Sequence, residues 1–214
     1  NGFTLNGSTG ERKAALKVDN ATVTVKDSSA NQTGTIKREY VEDPNVTGSN
    51  SYYVIDIQGG NGLLIFEGGN VTNTSGIVGV KGASLVRLGD DSVSARPTLT
   101  INGGTFKGGK ITIKNDDGGT LVINDGMFTN NGNRTVFNAN KATINGGEFN
   151  CPTTYFGNGI AVDTAHFDGG NNAGTLEISG GAFNGRITKD NNSDVSITGG
   201  TFTTDPGDYL EDDY

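Results

Sequence analysis

Asp163, His166 and Asp168 are the residues best placed to move a proton, gathered around the only histidine of the chain. An imidazole titrates near neutral pH, so with two neighbouring carboxylates it could exchange protons with a bound substrate. Asp90-Asp91 and Asp116-Asp117 are the other candidate carboxylates. Cleaving an acidic polysaccharide requires either aspartates that hold Ca²⁺ beside a base, or two carboxylates flanking the scissile bond. Local composition argues against each candidate. Asp116-Asp117 run into Gly118-Gly119, and Asp90-Asp91 follow Gly89, so both read as solvated turns. A lone His166 on an insertion reads as a surface residue. Gly59-Gly60-Asn61-Gly62 begins like a Ca²⁺-binding nonapeptide but places Leu64 where that motif needs Asp. The Asp-rich turns 116–118, 168–172 and 189–194 leave room for a structural Ca²⁺, without EF-hand spacing. No cofactor is called for. Cys151, the only cysteine, cannot form an intramolecular disulfide and reads as a small buried residue.

Residues suited to contact rather than catalysis are more concentrated. Tyr40, Tyr52, Tyr53, Tyr155 and Phe156 fall on two irregular stretches, about 37–53 and 150–174. Tyrosine offers a large amphipathic surface at low entropic cost. With Asp163, His166 and Asp168 these aromatics make the expected ligand-binding set; the competing reading is that they pin the loops to the scaffold.

The scaffold that must carry these stretches is written in a repeat. Leu99-Thr-Ile-Asn-Gly-Gly-Thr-Phe106 recurs as Leu121-Val-Ile-Asn-Asp-Gly-Met-Phe128, Ala142-Thr-Ile-Asn-Gly-Gly-Glu-Phe149, Leu176-Glu-Ile-Ser-Gly-Gly-Ala-Phe183 and Val195-Ser-Ile-Thr-Gly-Gly-Thr-Phe202. The central isoleucines are spaced by 22, 21, 34 and 19 residues. Alternating apolar and polar residues make a half-buried strand, with Leu99 and Ile101 inward and Thr100 and Asn102 outward. The glycine pair turns the chain and Phe returns to the interior. Copies one coil apart should stack into an isoleucine ladder (Ile101, Ile123, Ile144, Ile178) and a phenylalanine ladder (Phe106, Phe128, Phe149, Phe183). Lys110–Ile113, Arg134–Phe137 and Gly159–Val162 supply a further strand between copies. A period near 20 residues with two or three strands, and no helix behind them, predicts a right-handed parallel β-helix. The expectation is a single all-β solenoid of about eight or nine coils over residues 1–214. The stretches about 37–53 and 150–174 are its insertions and about 203–214 its cap, with Phe202, Tyr209 and Leu210 folding over the last coil.

Composition narrows the partners. Hydrophobic residues are only 32% of the chain, yet they cluster in short runs with 35 glycines between, as a thin solenoid core requires. A formal charge of −8 and no basic run exclude phosphate-backbone binding. The absence of Trp excludes a platform of exposed indoles. No apolar stretch approaches the ~18 residues of a membrane-spanning helix. The chain opens on Asn1 without Met or a signal-peptide pattern, as expected of a mature product or excised piece. The outward row Thr100, Val122, Thr143, Glu177 and Ser196 is too mixed for an ice-binding array and too polar for lateral trimerisation, so a monomer is expected.

Both ends and the repeated middle carry a resemblance. Phe3-Thr-Leu-Asn-Gly-Ser-Thr9, Ala15-Leu-Lys-Val18, Thr22-Val-Thr-Val-Lys-Asp-Ser-Ser29 with Gly34-Thr-Ile36, and Ile197-Thr-Gly-Gly-Thr-Phe-Thr-Thr-Asp-Pro-Gly-Asp-Tyr209 resemble the opening and closing coils of parallel β-helix surface proteins of Gram-positive anaerobic bacteria. The chain departs from that pattern at Ser8, where His is usual, and at Asp212-Asp213, where Gly is common. The resemblance implies an adhesin-like domain, secreted or displayed on the bacterial surface, meeting a glycan or protein on a host or neighbouring cell. Two alternatives stay open. A phage or virion appendage would need stable trimers, and a polysaccharide lyase or hydrolase would need a catalytic set; the Gly-His-Gly and Arg-x-Lys motifs of polygalacturonase-like hydrolases are missing.

Overall fold

The repeated octapeptide sets the register of the whole molecule. In the computed structural model, which describes residues 2–7, 14–38, 53–73, 84–89, 96–131, 133–154, 157–165 and 173–211, the chain is nearly all strand and its large sheets are parallel. One sheet has 13 strands. Its main path runs β1 (Thr4–Gly7), β4 (Thr35–Arg38), β7 (Asn70–Asn73), β9 (Thr98–Lys107), β11 (Thr120–Thr129), β13 (Lys141–Ile144), β18 (Thr175–Ile178) and β21 (Asp194–Ile197). Joined to it are β3 (Thr22–Val25), β6 (Leu63–Phe66), β14 (Glu148–Asn150), β19 (Ala182–Asn184) and β22 (Thr201–Phe202). A second sheet of seven strands runs β2 (Leu16–Asp19), β5 (Ile55–Gln58), β8 (Val86–Leu88), β10 (Ile111–Asn115), β12 (Arg134–Asn138), β17 (Ile160–Thr164) and β20 (Arg186–Lys189). The chain visits the two sheets in alternation, an arrangement consistent with a parallel β-helix or solenoid. A short antiparallel hairpin, β15 (Thr153–Thr154) with β16 (Gly157–Asn158), precedes β17.

Ile101, Ile123, Ile144, Ile178 and Ile197 are successive partners, all buried. Phe106, Phe128, Phe149, Phe183 and Phe202 pair in the same way. Their rings stack with centroids 4.8–5.2 Å apart and planes within 13° of parallel, the spacing of neighbouring strands. The expected outward row Thr100–Val122–Thr143–Glu177–Ser196 is likewise one line of partners. The second sheet faces this core with its own ladder, Leu16–Ile55–Val86–Ile113–Val136–Val162–Ile187. Inward residues from both sheets form one continuous apolar cluster.

The glycine pair has a more specific reason than a corner. In β9 and β11 the strand runs through it unbroken. The second glycine of each pair has positive φ, +102° at Gly147 for example. At the first glycine the constraint is the coil alongside: a Cβ on Gly146 would lie 2.6 Å from the Asn124 carbonyl oxygen.

Asparagine ladders, not anticipated above, run parallel to the apolar ones. On the exposed side, Asn124 Nδ2 donates to Asn102 Oδ1 at 2.8 Å, Asn145 Nδ2 to Asn124 Oδ1 at 2.8 Å, and Ser179 Oγ to Asn145 Oδ1 at 3.0 Å. Inside the second sheet the apolar row Val18–Ile57–Leu88 gives way to Asn115–Asn138–Thr164, all three buried. Asn115 Nδ2 donates to Asn138 Oδ1 at 2.8 Å and to the Lys141 carbonyl at 2.9 Å, and Asn138 Nδ2 to the Thr175 carbonyl at 2.9 Å. These bonds satisfy main-chain oxygens where the chain leaves the sheet, which is why amides replace aliphatics there.

The interval 150–174, expected as one insertion, contains β17, a regular member of the second sheet. The stretch before that strand carries the β15–β16 hairpin. At the C-terminus a short 3₁₀ turn, Gly207–Tyr209, starts where Asp205 accepts the Gly207 N–H at 2.8 Å. Tyr209 packs against the core, Leu210 pairs with Ile197, and the Glu211 N–H donates to the Ile197 carbonyl at 3.0 Å. Tyr209 is only half-buried and Leu210 is exposed. Deleting 205–214 should therefore cost about 2 kcal/mol, the scale of one large side chain, read as a lower melting temperature with aggregation in light scattering. An equally stable, monodisperse truncation would show that this segment contributes no cap.

Candidate functional site

Candidate contact residues must lie outside the ladders that fill the core. The outward row of the second sheet is such a place. Register aligns Lys17, Asp56, Arg87, Lys114, Phe137, Asp163 and Thr188 across its seven strands. Each follows a member of the inward ladder Leu16–Ile55–Val86–Ile113–Val136–Val162–Ile187, so the pleat directs it away from the core. The long connections 39–54, 74–85, 89–97, 151–159 and 165–174 all enter or leave strands of this sheet.

Two charged clusters occupy the row. Arg87 meets Asp56 through two bonds, Nε to Oδ1 at 3.0 Å and an NH2 nitrogen to Oδ2 at 3.3 Å. Its guanidinium lies 4.6 Å over the centre of the Tyr53 ring, a cation–π contact. Burial works against the Arg87 charge, but Asp56, Tyr53 and Asp116 outweigh it and raise the group above its ordinary range. Lys114 Nζ sits 2.6 Å from Asp116 Oδ1. Further along, Asp163 accepts from Arg134 and, at 2.7 Å, from Thr188 Oγ1. Arg134 also lies 5.3 Å over the Phe137 ring. Phe137, Ile111 and Ala139 form a small buried cluster of their own, with Ala165 against it, apart from the main core.

Tyr53 and Asp163 are thus the members of the expected ligand-binding set within the described residues, and both lie on this face. Three strand spacings separate Arg87, and four separate Asp56, from Asp163, roughly 14–19 Å at about 4.8 Å per strand, so they belong to one surface and not to one pocket. Tyr40, Tyr52, Tyr155, Phe156, His166 and Asp168 lie outside the described residues, as do Asp90 and Asp91.

Asp116 and Asp117 correct the expectation of a solvated turn. The turn is present, with Gly118 at φ +78°, but Asp116 is 1% and Asp117 4% exposed. The neighbouring coil rests on them: the Asp116 N–H donates to the Leu88 carbonyl at 2.7 Å, and a Cβ on Gly89 would meet the Asp117 carbonyl at 2.8 Å. Cys151 is fully buried, its thiol pushed up by burial and pulled back in part by a backbone hydrogen bond and Arg134. That environment suits packing, not a reactive thiolate. Among the described residues no three His, Cys, Asp or Glu side chains gather to hold a metal ion, and no helix is long and apolar enough to cross a membrane.

The carboxylates of this face are engaged by cations, which gives Asp163 a structural role with a measurable cost. Asp163→Ala should destabilise the chain by about 2–3 kcal/mol, below the range for a fully buried pair because both side chains keep some solvent contact. The double variant with Arg134→Ala should lose less than the two single losses together. Additive losses would contradict the pairing.

Sequence reasoning missed Asp56, Arg87, Lys114 and Arg134. For Asp56 and Arg87 the signal was present as a single charged residue between two aliphatic ones, but only the cross-coil register brings them together, and Lys114 and Arg134 carry no such pattern. No protein-family model matches the chain, and no curated protein or solved structure matches it.

Proposed function

We propose that this chain is a right-handed parallel β-helix of roughly eight or nine coils, serving as an extracellular, non-catalytic binding, adhesion or stalk module displayed on a bacterial surface. It recognises a glycan or a host or partner protein through loops that border its second sheet. The observation that carries this reading is the distribution of the connections. Intervals of 9–16 residues flank β5, β8 and β17, whereas within the octapeptide sheet every connection but the nine residues between β3 and β4 is three residues long. Loops projecting from one region of a rigid solenoid are where recognition concentrates. The sheet between them carries Arg87 with Tyr53, and Lys114, a mixture of guanidinium, phenol and amine groups suited to polar ligands. The engagement of Asp163 with Arg134 and of Asp116 with Lys114 supports a binding role, since each carboxylate already has a cation.

The test is a glycan array together with capture of host or partner surface proteins by the intact chain, beside incubation with acidic polysaccharides. Saturable binding to a glycan or protein, with the polysaccharides left intact, is expected. Release of unsaturated or reducing ends, abolished by Asp163→Ala or Asp168→Ala, would replace this reading with an enzymatic one.

A further inference from the structure

Charge is unevenly spread on the outer side of the octapeptide sheet. One residue beyond the buried ladder Val71–Phe106–Phe128–Phe149–Phe183, register aligns Lys37, Thr72, Lys107, Thr129, Asn150 and Asn184. In a chain of formal charge −8 this row holds no carboxylate. Lys17, Lys26 and Lys114 are each paired with an acid, whereas Lys107 is exposed and, among the described residues, in no ion pair. Asn184 Nδ2 donates to Asn150 Oδ1 at 2.9 Å, and Thr203 Oγ1 to Asn184 Oδ1 at 3.3 Å. This relay uses the Asn150 oxygen and leaves its Nδ2 hydrogens to donate elsewhere. Beside the two amides lies a hollow of about 220 Å³, walled also by Glu148 and Thr201 and opened by the small Ala182 between them. Met127, the strand partner of Glu148, is 45% exposed. β14 and β19 have a parallel partner on each side, so the hollow lies on the flank of the stack and not at its end.

An amide donor, a carboxylate, an amine and one exposed thioether fit a ligand that is itself amphipathic. A pyranose ring has an apolar C–H face and a rim of hydroxyls that both donate and accept. A protein partner would need more apolar surface, since interface cores concentrate aromatic and aliphatic side chains. We propose that this strip seats a linear glycan of alternating neutral and uronic sugars, with a neutral ring in the hollow and the adjoining uronate on Lys107. The ring sets its C–H face against Met127 and its hydroxyls against the Asn150 amide and the Glu148 carboxylate. Glu148 repels a second carboxylate at that position, which selects the neutral sugar there. Lys107 lies two strand spacings from Asn150, roughly 10 Å at about 4.8 Å per strand, and its long side chain spans part of that distance. The inference rests on the binding reading above, whose connections 39–54, 74–85 and 151–159 each leave a strand of this row.

Isothermal titration calorimetry of the intact chain tests the proposal, with oligosaccharides of hyaluronan, polygalacturonate and cellulose as probes. Hyaluronan oligosaccharides, which alternate an N-acetyl sugar with a uronate, should bind saturably and more tightly than the uniformly acidic or the neutral series. Lys107→Glu should weaken hyaluronan binding roughly tenfold or more and remove most of its salt dependence. Ala182→Phe fills the hollow and should weaken binding as much. Glu148→Gln should narrow the preference for hyaluronan over polygalacturonate. All three positions are exposed, so the melting temperatures should stay close to that of the intact chain. Glu177→Phe, in the other outward row, serves as the control and should leave binding unchanged. An intact chain that does not bind hyaluronan, binding unmoved by Lys107→Glu or Ala182→Phe, or a preference indifferent to Glu148→Gln would overturn the proposal. The binding reading survives those results if the chain still captures another glycan or a surface protein, and falls only if it captures none.

Discussion

Phe149→Ala should lower stability by about 3–5 kcal/mol, the cost of emptying a fully buried aromatic site. Its ring stacks at 4.8 Å on both Phe128 and Phe183, with interplanar angles of 7° and 5°. Removing it breaks two ring contacts, and strands on either side hold the gap open. For a chain of this size the loss corresponds to a fall in melting temperature of roughly 10 °C. Phe202→Ala, at the end of the ladder and half-buried, should cost clearly less. Equal losses at the two positions would mean that the rings do not act as a stacked ladder.

Gly147→Val should be damaging by a different route. At φ +102° a β-branched residue costs about 1–3 kcal/mol in backbone strain. Its Cβ would also lie 3.0 Å from the Gly126 carbonyl oxygen and 3.4 Å from the Phe128 ring, adding about 1–3 kcal/mol for displacement of packed neighbours. Gly207 provides the control, with φ +64° and open space for 4 Å around the position a Cβ would take. Gly207→Val should show the conformational cost alone. Chemical denaturation of the two variants separates the terms, and similar losses would refute the stacking constraint at Gly147.

What could be read from the residues follows from how far each signal extends along the chain. Ile123 and Phe128 announce their burial because five octapeptides repeat the same alternation, and β10, β12 and β17 stand out as apolar runs between copies. β8, three residues long, carries no such pattern, and its place is set by pairing with β5 and β10. The exposed ladder Asn102–Asn124–Asn145 was legible in principle, since each Asn follows a ladder isoleucine, but asparagine in a glycine-rich context reads first as a turn residue. Burial of Asp116 and Asp117 was not legible, because their Asp-Asp-Gly-Gly setting is that of a solvated turn and the coil that covers them comes from Leu88 and Gly89. Tyr53 and Asp163 can be named from sequence alone, while Arg87 and Arg134, which hold them, emerge only from the fold.

Scaffold and binding surface should be separable in this molecule. In the proposed reading, ladders within the sheets supply the stability and the connections around the second sheet supply recognition. The direct test replaces segments 39–52 and 166–172 with short Gly-Ser linkers and measures melting and ligand binding on the same preparation. A melting temperature within a few degrees of the intact chain is predicted, because neither segment supplies a strand to the described sheets and the closure entropy of a connection changes only slowly with its length, together with loss of glycan or protein binding. Binding that persists at full strength in this stable, loop-shortened chain would contradict that division of roles.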